Sequence, residues 1–299
     1  MALIIGNNKK NVLHGTNGND FMFGLGGNDL LFGRNGNDTL HGGKGNDAID
    51  GGKGNDRLFG DKGDDVLAGG AGADKLNGGA GNDFFLPGND FVTDVINGGA
   101  GNDTVDYSNH SFAVQASLPD NAGAGGAVDI FIGVENVIGS AFADNMRSAN
   151  GGFALGNGGD DTLYGGGSLN ATDNGGIIRG DAGADTLHME FGNTLAWLQR
   201  GQGADQLLNF VENQDKLFIK LFDWGFGATF DANEIRNFPV DPPSGTGPQF
   251  VFDPTGVNPI LALDPNGDGN LIDAVIVATF VSSTFDGFIK NLDVGDFVF

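Results

Sequence analysis

The sequence predicts an all-β protein. It favours a parallel β-roll, or β-solenoid, of stacked nine-residue units, with a wider β-roll continuation and a C-terminal β cap. Three observations support this fold. Residues 15–86 form eight nine-residue units without a gap, the first and fourth positions of every unit are Gly, and the eighth is always large and apolar. A fixed short period indicates a repeat architecture in which each unit packs on its neighbours.

Each unit divides into a turn and a short strand. The units read GTNGNDFMF, GLGGNDLLF, GRNGNDTLH, GGKGNDAID, GGKGNDRLF, GDKGDDVLA, GGAGADKLN and GGAGNDFFL. Glycine adopts positive φ without steric cost, so the first six residues suit a tight turn. The last three suit a short strand with one apolar side chain facing inward. Two units then make one coil, and units two apart lie about 4.8 Å above one another.

The sixth position of every unit is Asp, so the stacking places carboxylates in two columns. Two unit charges about 4.8 Å apart repel by roughly 3.5 kcal/mol at an effective dielectric constant near 20. A dication between stacked turns, bound by two Asp side chains and by turn carbonyls, relieves this repulsion. Oxygen-only ligands in a flexible cage favour Ca²⁺ over Mg²⁺. The predicted ligands are Asp20, Asp29, Asp38, Asp47, Asp56, Asp65, Asp74, Asp83 and, in a ninth unit, Asp103.

The turn glycines complete the predicted metal-binding set. Their backbone carbonyls supply further oxygen ligands, and their lack of a side chain allows the turn to close around an ion. Eight units stacked two to a coil give six Asp pairs, and hence about six well-formed calcium sites in residues 15–86. The glycines are Gly15, Gly18, Gly24, Gly27, Gly33, Gly36, Gly42, Gly45, Gly51, Gly54, Gly60, Gly63, Gly69, Gly72, Gly78 and Gly81.

The unit resembles the calcium-binding nonapeptide of the RTX (repeats-in-toxin) family, also called the haemolysin-type repeat. This resemblance implies a β-roll that folds when it binds Ca²⁺. It also implies an extracellular or cell-surface location, reached by type I secretion without an N-terminal signal peptide.

The rest of the chain is less regular. We predict a regular β-roll over 1–97, an irregular β-roll with linking strands over 98–208, and a β cap with an RTX-like secretion region over 209–299. The register breaks at 87–97 and resumes at Gly98. Glu135 is either a polar bracket or a ligand. Weaker metal candidates in scattered units are Asp144, Asp161, Asp185 and Asp205.

The C-terminal region is rich in Phe and Pro, and its segments FVFD, PILALD, AVIVATF and DFVF read as ordinary strands. Asp264, Asn266 and Asp268 follow the opening of an EF-hand loop. The twelfth position of that loop is Val275, so the bidentate Glu is missing. The segment is therefore either a hairpin turn or a weak calcium site.

Composition and motifs exclude several function classes. A formal net charge of −24 argues against nucleic acid or an anionic membrane as partner, and no apolar stretch is long enough for membrane insertion. The chain has no Cys, which removes disulfides. The HExxH and G-x-S-x-G motifs do not occur, so we expect no protease or lipase activity of those types and no catalytic residues.

The sequence therefore predicts a secreted, non-catalytic calcium-binding protein. The first hypothesis for its role is a structural component of a surface layer, filament or extracellular matrix, formed by self-association. One alternative is a carbohydrate-binding accessory protein on a surface polysaccharide. Another is an enzyme with an unrecognised site in 107–240.

Overall fold

A computed structural model describes residues 1–118, 129–166 and 176–188, and beyond these mainly the backbones of individual strands. The described residues contain strands and turns but no helix, and so no helix able to cross a membrane. The strands are β1 Leu3–Asn7, β2 Val12–His14, β3 Phe21–Leu25, β4 Leu30–Phe32, β5 Thr39–Lys44, β6 Ala48–Lys53, β7 Arg57–Lys62, β8 Val66–Ala71, β9 Lys75–Ala80, β10 Phe84–Leu86, β11 Val95–Ala100, β12 Thr104–Asp106, β13 Gln115–Ser117, β14 Ile130–Ile132, β15 Asn136–Ile138, β16 Asn145–Arg147, β17 Phe153–Leu155, β18 Thr162–Tyr164, β19 Ile177–Arg179, β20 Thr186–His188, β21 Leu195–Leu198, β22 Asp205–Leu208, β23 Lys216–Ile219, β24 Ile235–Asn237, β25 Gln249–Asp253, β26 Ile260–Asp264, β27 Val275–Val281 and β28 Phe297–Val298.

Successive strands of the repeat region alternate between two parallel sheets. Sheet A has the strand order β1-β3-β5-β7-β9-β11-β14, and sheet B begins β2-β4-β6-β8-β10-β12. Met22 pairs with Leu40 in sheet A, and Leu31 pairs with Ile49 in sheet B. Each strand thus pairs with the strand two units along the chain, which confirms the predicted parallel β-roll of two units per coil.

The core is a single column of side chains in each sheet. The eighth position of each unit is buried because it lies between the sheets, whereas the residues on either side of it face outward. The buried eighth positions are Met22, Leu31, Leu40, Ile49, Leu58, Leu67, Leu76 and Phe85. Burying one such side chain contributes about 1.5–3 kcal/mol, so the core of each coil is small.

The break in register at 87–97 is an insertion and not an end of the roll. Val95 pairs with Lys75, so this coil is longer than the regular coil by two residues. Strand β11 spans Val95–Ala100 and continues sheet A across the boundary predicted between 97 and 98. The division of the chain into three domains stays a prediction.

A third sheet continues the roll where sheet A ends at β14. Sheet B runs on to β28, and sheet C has the order β13-β16-β18-β20-β22-β27-β26-β25-β24. The C-terminal segments predicted as strands are β25 to β28. Strand β27 pairs in parallel with β22, and β28 pairs with β23, so the backbones of these strands extend sheets C and B.

Candidate metal centre

The aspartates of the repeats are linked along each column by backbone hydrogen bonds. The N–H of Asp20 donates to Oδ1 of Asp38 at 2.7 Å, and the N–H of Asp38 donates to Oδ1 of Asp56 at 2.7 Å. All six pairs expected from the repeat are joined in this way: Asp20–Asp38, Asp29–Asp47, Asp38–Asp56, Asp47–Asp65, Asp56–Asp74 and Asp65–Asp83.

The second carboxylate oxygen of most column aspartates has no hydrogen-bond donor. Oδ2 is buried and unpartnered in nine of the described aspartates: Asp29, Asp38, Asp47, Asp56, Asp65, Asp74, Asp83, Asp103 and Asp161. A buried polar atom without a partner costs free energy, and a buried charge costs more. Its recurrence in register indicates that these oxygens have a partner that is not part of the chain.

The first-position glycines border these oxygens. A Cβ built on Gly33 would lie 2.5 Å from the carbonyl oxygen of Gly51 and 2.6 Å from Oδ2 of Asp38. The unpartnered carboxylate oxygen and a carbonyl of the next coil therefore converge on one small space, where any side chain would clash. The first-position glycines that approach the Asp of their own unit in this way are Gly15, Gly24, Gly33, Gly42, Gly51, Gly60, Gly69 and Gly78.

The fourth-position glycines are required for a different reason. Their φ angles are positive, in the region that side-chain-bearing residues avoid. This lets the turn reverse direction two residues before the Asp. Gly18 is an exception among the fourth-position glycines, since it has no positive φ. The fourth-position glycines with positive φ are Gly27, Gly36, Gly45, Gly54, Gly63, Gly72 and Gly81.

The donor set fits a hard cation. Within the described ranges, no three His, Cys, Asp or Glu side chains converge on one point, so turn carbonyls would have to complete any coordination shell. Carboxylate and carbonyl oxygens are the ligands that Ca²⁺ prefers. The column aspartates and the first-position glycines would hold it, and its charge would neutralise the carboxylates.

Without a cation these carboxylates are hard to ionise. Burial, together with the charges of the neighbouring Asp47 and Asp83, raises the pKa of Asp65 to about 7. Burial likewise raises the pKa of Asp74 to about 7, with a contribution from Asp56. Removing a carboxylate from water disfavours its charged form, and so does a like charge nearby. A bound dication reverses both effects.

Two aspartates of the columns were missed in the sequence. The N–H of Asp74 donates to Oδ1 of Asp94 at 2.8 Å, and the N–H of Asp94 donates to Oδ1 of Asp129 at 2.8 Å. Asp94 lies 20 residues after Asp74, and Asp129 lies 35 residues after Asp94, so neither fits the regular spacing of eighteen residues. The Asp-x-apolar pattern of Asp94–Ile96 matches that of every unit and could have identified Asp94.

The other predicted candidates have different surroundings. The N–H of Asp103 donates to Oε2 of Glu135 at 2.8 Å, so Glu135 occupies the next place in that column. The N–H of Asp161 donates to Oδ1 of Asp185 at 2.9 Å. Asp205 and Asp264 are described only as strand backbone, at the start of β22 and the end of β26. Asn266 and Asp268 lie outside the described residues.

Comparisons with known proteins agree with this geometry. The RTX calcium-binding nonapeptide repeat, taken in four copies, matches residues 5–40, 23–58, 32–67, 50–85, 93–109 and 153–168. These residues therefore carry RTX repeats, which bind Ca²⁺. Among curated proteins, none matches this chain.

One similar solved structure is the crystal structure of the extracellular lipase LipA from Serratia marcescens. The two chains are 16% identical, with a TM-score of 0.34. The alignment covers 87% of this chain but only 40% of that one.

Proposed function

From the RTX calcium-binding repeats of residues 5–85 we propose that this chain is a secreted, non-catalytic protein that folds on Ca²⁺ outside the cell. It then serves as a structural component of a surface layer, filament or matrix. Export by type I secretion is the route typical of RTX proteins. The non-catalytic assignment rests on the motifs that the sequence lacks.

The main support for calcium-dependent folding is the buried Oδ2 atom without a hydrogen-bond donor, which recurs in the aspartates along the columns. Six linked Asp pairs in residues 15–86 give about six sites. We expect affinities of about 10⁻⁴–10⁻³ M, as for other extracellular calcium modules. At the lower free calcium concentration of a cytosol, the carboxylates within each column repel one another. The apolar core of each coil is too small to offset this repulsion.

The proposal of self-association rests on the distribution of charge. Residues 1–86 contain eight Lys and Arg and eleven Asp, a formal charge of 8 − 11 = −3. The remaining residues therefore carry −24 + 3 = −21. Eight of the eleven aspartates are buried column residues, whose charge bound calcium would neutralise. The eight Lys and Arg side chains on the surface would then outnumber the three remaining acidic residues, which are Asp50, Asp61 and Asp64. Calcium thus makes the N-terminal roll cationic, which favours contact with the acidic remainder of another copy.

A second candidate function is binding of an acidic polysaccharide. Lys44 pairs with Lys62, and Arg57 pairs with Lys75, on the neighbouring strands β5, β7 and β9 of sheet A. None of these four exposed side chains forms an ion pair with any described residue. The rings of Phe23, His41 and Phe59 stack on one another, with centroids 5.1 and 4.4 Å apart. Stacking covers both faces of the His41 ring and one face of each Phe ring, so recognition would depend chiefly on charge.

Sedimentation velocity in EDTA and in millimolar Ca²⁺ tests the structural proposal. We expect an expanded monomer in EDTA and, with Ca²⁺, larger particles that dissociate when the salt concentration is raised, because salt screens charge. A compact monomer at every salt concentration would refute self-association. In that case, calcium-dependent binding to hyaluronate, with neutral dextran as control, would favour the polysaccharide function.

A further inference from the structure

Asp129 occupies a place in the column, but both of its carboxylate oxygens are satisfied by the chain. Its Oδ1 accepts the N–H of Asp94 at 2.8 Å, as between the aspartates of the regular repeats. Its Oδ2 accepts the hydroxyl of Tyr107 at 2.6 Å. Tyr107 is 2% exposed and Asp129 is 3% exposed, so this hydrogen bond is shielded from water. A tyrosine hydroxyl therefore lies where the repeats leave an oxygen for a cation.

Asp144 is satisfied in a similar way. The N–H of Ser140 donates to Oδ2 of Asp144 at 2.6 Å, and the Ser140 hydroxyl donates to Oδ1 at 2.9 Å. The N–H of Val114 also donates to that Oδ1 at 2.7 Å. Oδ2 of Asp94 has a weaker donor, the N–H of Gly88 at 3.4 Å. We call Asp94, Asp129 and Asp144, with their donors Tyr107 and Ser140, the junction.

The backbone distinguishes the junction from the repeats independently. Every one of the nine aspartates with an unpartnered Oδ2 follows, two residues later, a Gly with positive φ. Gly101 precedes Asp103 in this way, and Gly159 precedes Asp161. At the same position before the junction aspartates the sequence has Val92, Ala127 and Phe142. The glycine that has positive φ in the repeat turns is therefore missing from the sequence of the junction.

We propose that the calcium-binding columns are interrupted. One array runs from Asp29 to Asp103, a separate position lies at Asp161, and the junction between them binds no cation. Hydroxyl and N–H donors of the chain take the place of the ion there, since hydrogen bonds to a carboxylate are strong when they are buried. Asp20 has donors of the same kind, since the N–H and the hydroxyl of Thr16 donate to its Oδ2 at 2.6 and 2.8 Å, so the array begins at Asp29 and not at Asp20. This inference rests on the proposed calcium binding of the columns.

Calcium stoichiometry at saturation, measured on the full chain by equilibrium dialysis with radioactive calcium, tests the inference. We expect D129N and D144N to bind as many ions as the wild type, because Asn keeps the Oδ1 acceptor. The matched variants D65N and D161N should each lose at least one ion. Loss of ions in D129N would overturn the inference. A wild-type chain that binds no calcium would instead overturn the proposed function.

A variant of the donor residue tests the same inference if D129N does not fold. Y107F removes the donor to Asp129, and Y164F is the control, since the chain has only two tyrosines. We expect Y107F to raise the calcium concentration at the folding midpoint by roughly a third, because the loss of one buried hydrogen bond is shared over about six bound ions, and Y164F to change it little. The number of bound ions should stay the same or rise by one. Fewer ions in Y107F than in Y164F would contradict the metal-free junction.

Discussion

At the scale of the residue, each column Asp has two oxygens with different partners. In Asp47, Oδ1 accepts the N–H of Asp29, and Oδ2 is buried without a donor. The first oxygen fixes the stacking of the coils, and the second is available to a cation. This division explains why Asp and not Glu fills the columns of residues 15–86, because the shorter side chain holds both oxygens close to the turn. Substitution at this position should therefore impair both the stacking and calcium binding.

The double variant D47A/D56A tests this role, since it alters one residue in each column. Four of the six Asp pairs include Asp47 or Asp56, and each substitution leaves an N–H without its acceptor. We expect the calcium concentration at the folding midpoint, followed by circular dichroism, to rise roughly tenfold or more. D50A is the control, because Asp50 lies on β6 outside the columns. An unchanged midpoint in the double variant would refute the column account.

The pH dependence of the calcium-free chain provides a second test at this scale. Burial raises the pKa of Asp65 and of Asp74 from the ordinary value of 3.8 to about 7. A carboxyl whose pKa is higher in the folded state stabilises that state below the unfolded pKa, and this stabilisation is lost as pH rises through the folded pKa. In EDTA we therefore expect the unfolded chain to gain β-structure as the pH is lowered from 8 to 5, followed by circular dichroism. Saturating calcium should remove most of this difference, and a gain of structure in EDTA as the pH is raised would be contrary to expectation.

At the scale of the element, the second position of the turn also has positive φ in seven of the eight units of residues 15–86. Glycine fills it in four of these units, but Leu25, Arg34 and Asp61 have φ of 79°, 82° and 73°. A side chain in this conformation costs roughly 1–2 kcal/mol. These turns are therefore strained, and the strain comes from local backbone geometry and not from packing.

R34G should stabilise the calcium-loaded chain by about 1 kcal/mol, because glycine adopts this conformation without strain. The matched control is K53G, at a neighbouring exposed turn position without positive φ, where added chain entropy should destabilise the protein. Thermal unfolding in saturating calcium measures both effects. A lower melting temperature for R34G than for the wild type would show that the strain is not relieved.

The sequence predicted the elements wherever their spacing was constant. Coil length, buried column and Asp pairing all follow from the period of nine in residues 15–86. Asp94 and Asp129 were missed because coil length changes after residue 86, and nothing local in a sequence fixes how many residues a wider coil contains. The Tyr107–Asp129 hydrogen bond joins two residues that only the wider coil brings together, so the sequence could not identify Tyr107 as the donor to Asp129.

At the scale of the whole molecule, we infer a roll whose stability is supplied by ions rather than by a large core. Each coil buries one apolar side chain per strand, and the columns place buried carboxylates beside one another. The regular repeats depend most on calcium, whereas hydroxyl donors satisfy the aspartates of the junction. Calcium also separates charge along the chain, which is the basis of the proposed assembly. Both consequences require that calcium be the agent of folding.

Small-angle X-ray scattering of the full chain, in EDTA and then in millimolar Ca²⁺ at high salt to keep it monomeric, tests that claim most directly. An unfolded chain of this length has a radius of gyration of about 60 Å, whereas a compact one approaches about 20 Å. We predict a large radius in EDTA that falls to less than half on addition of Ca²⁺, with no such change on addition of Mg²⁺. The same radius with and without Ca²⁺ would contradict the central claim that calcium folds this protein.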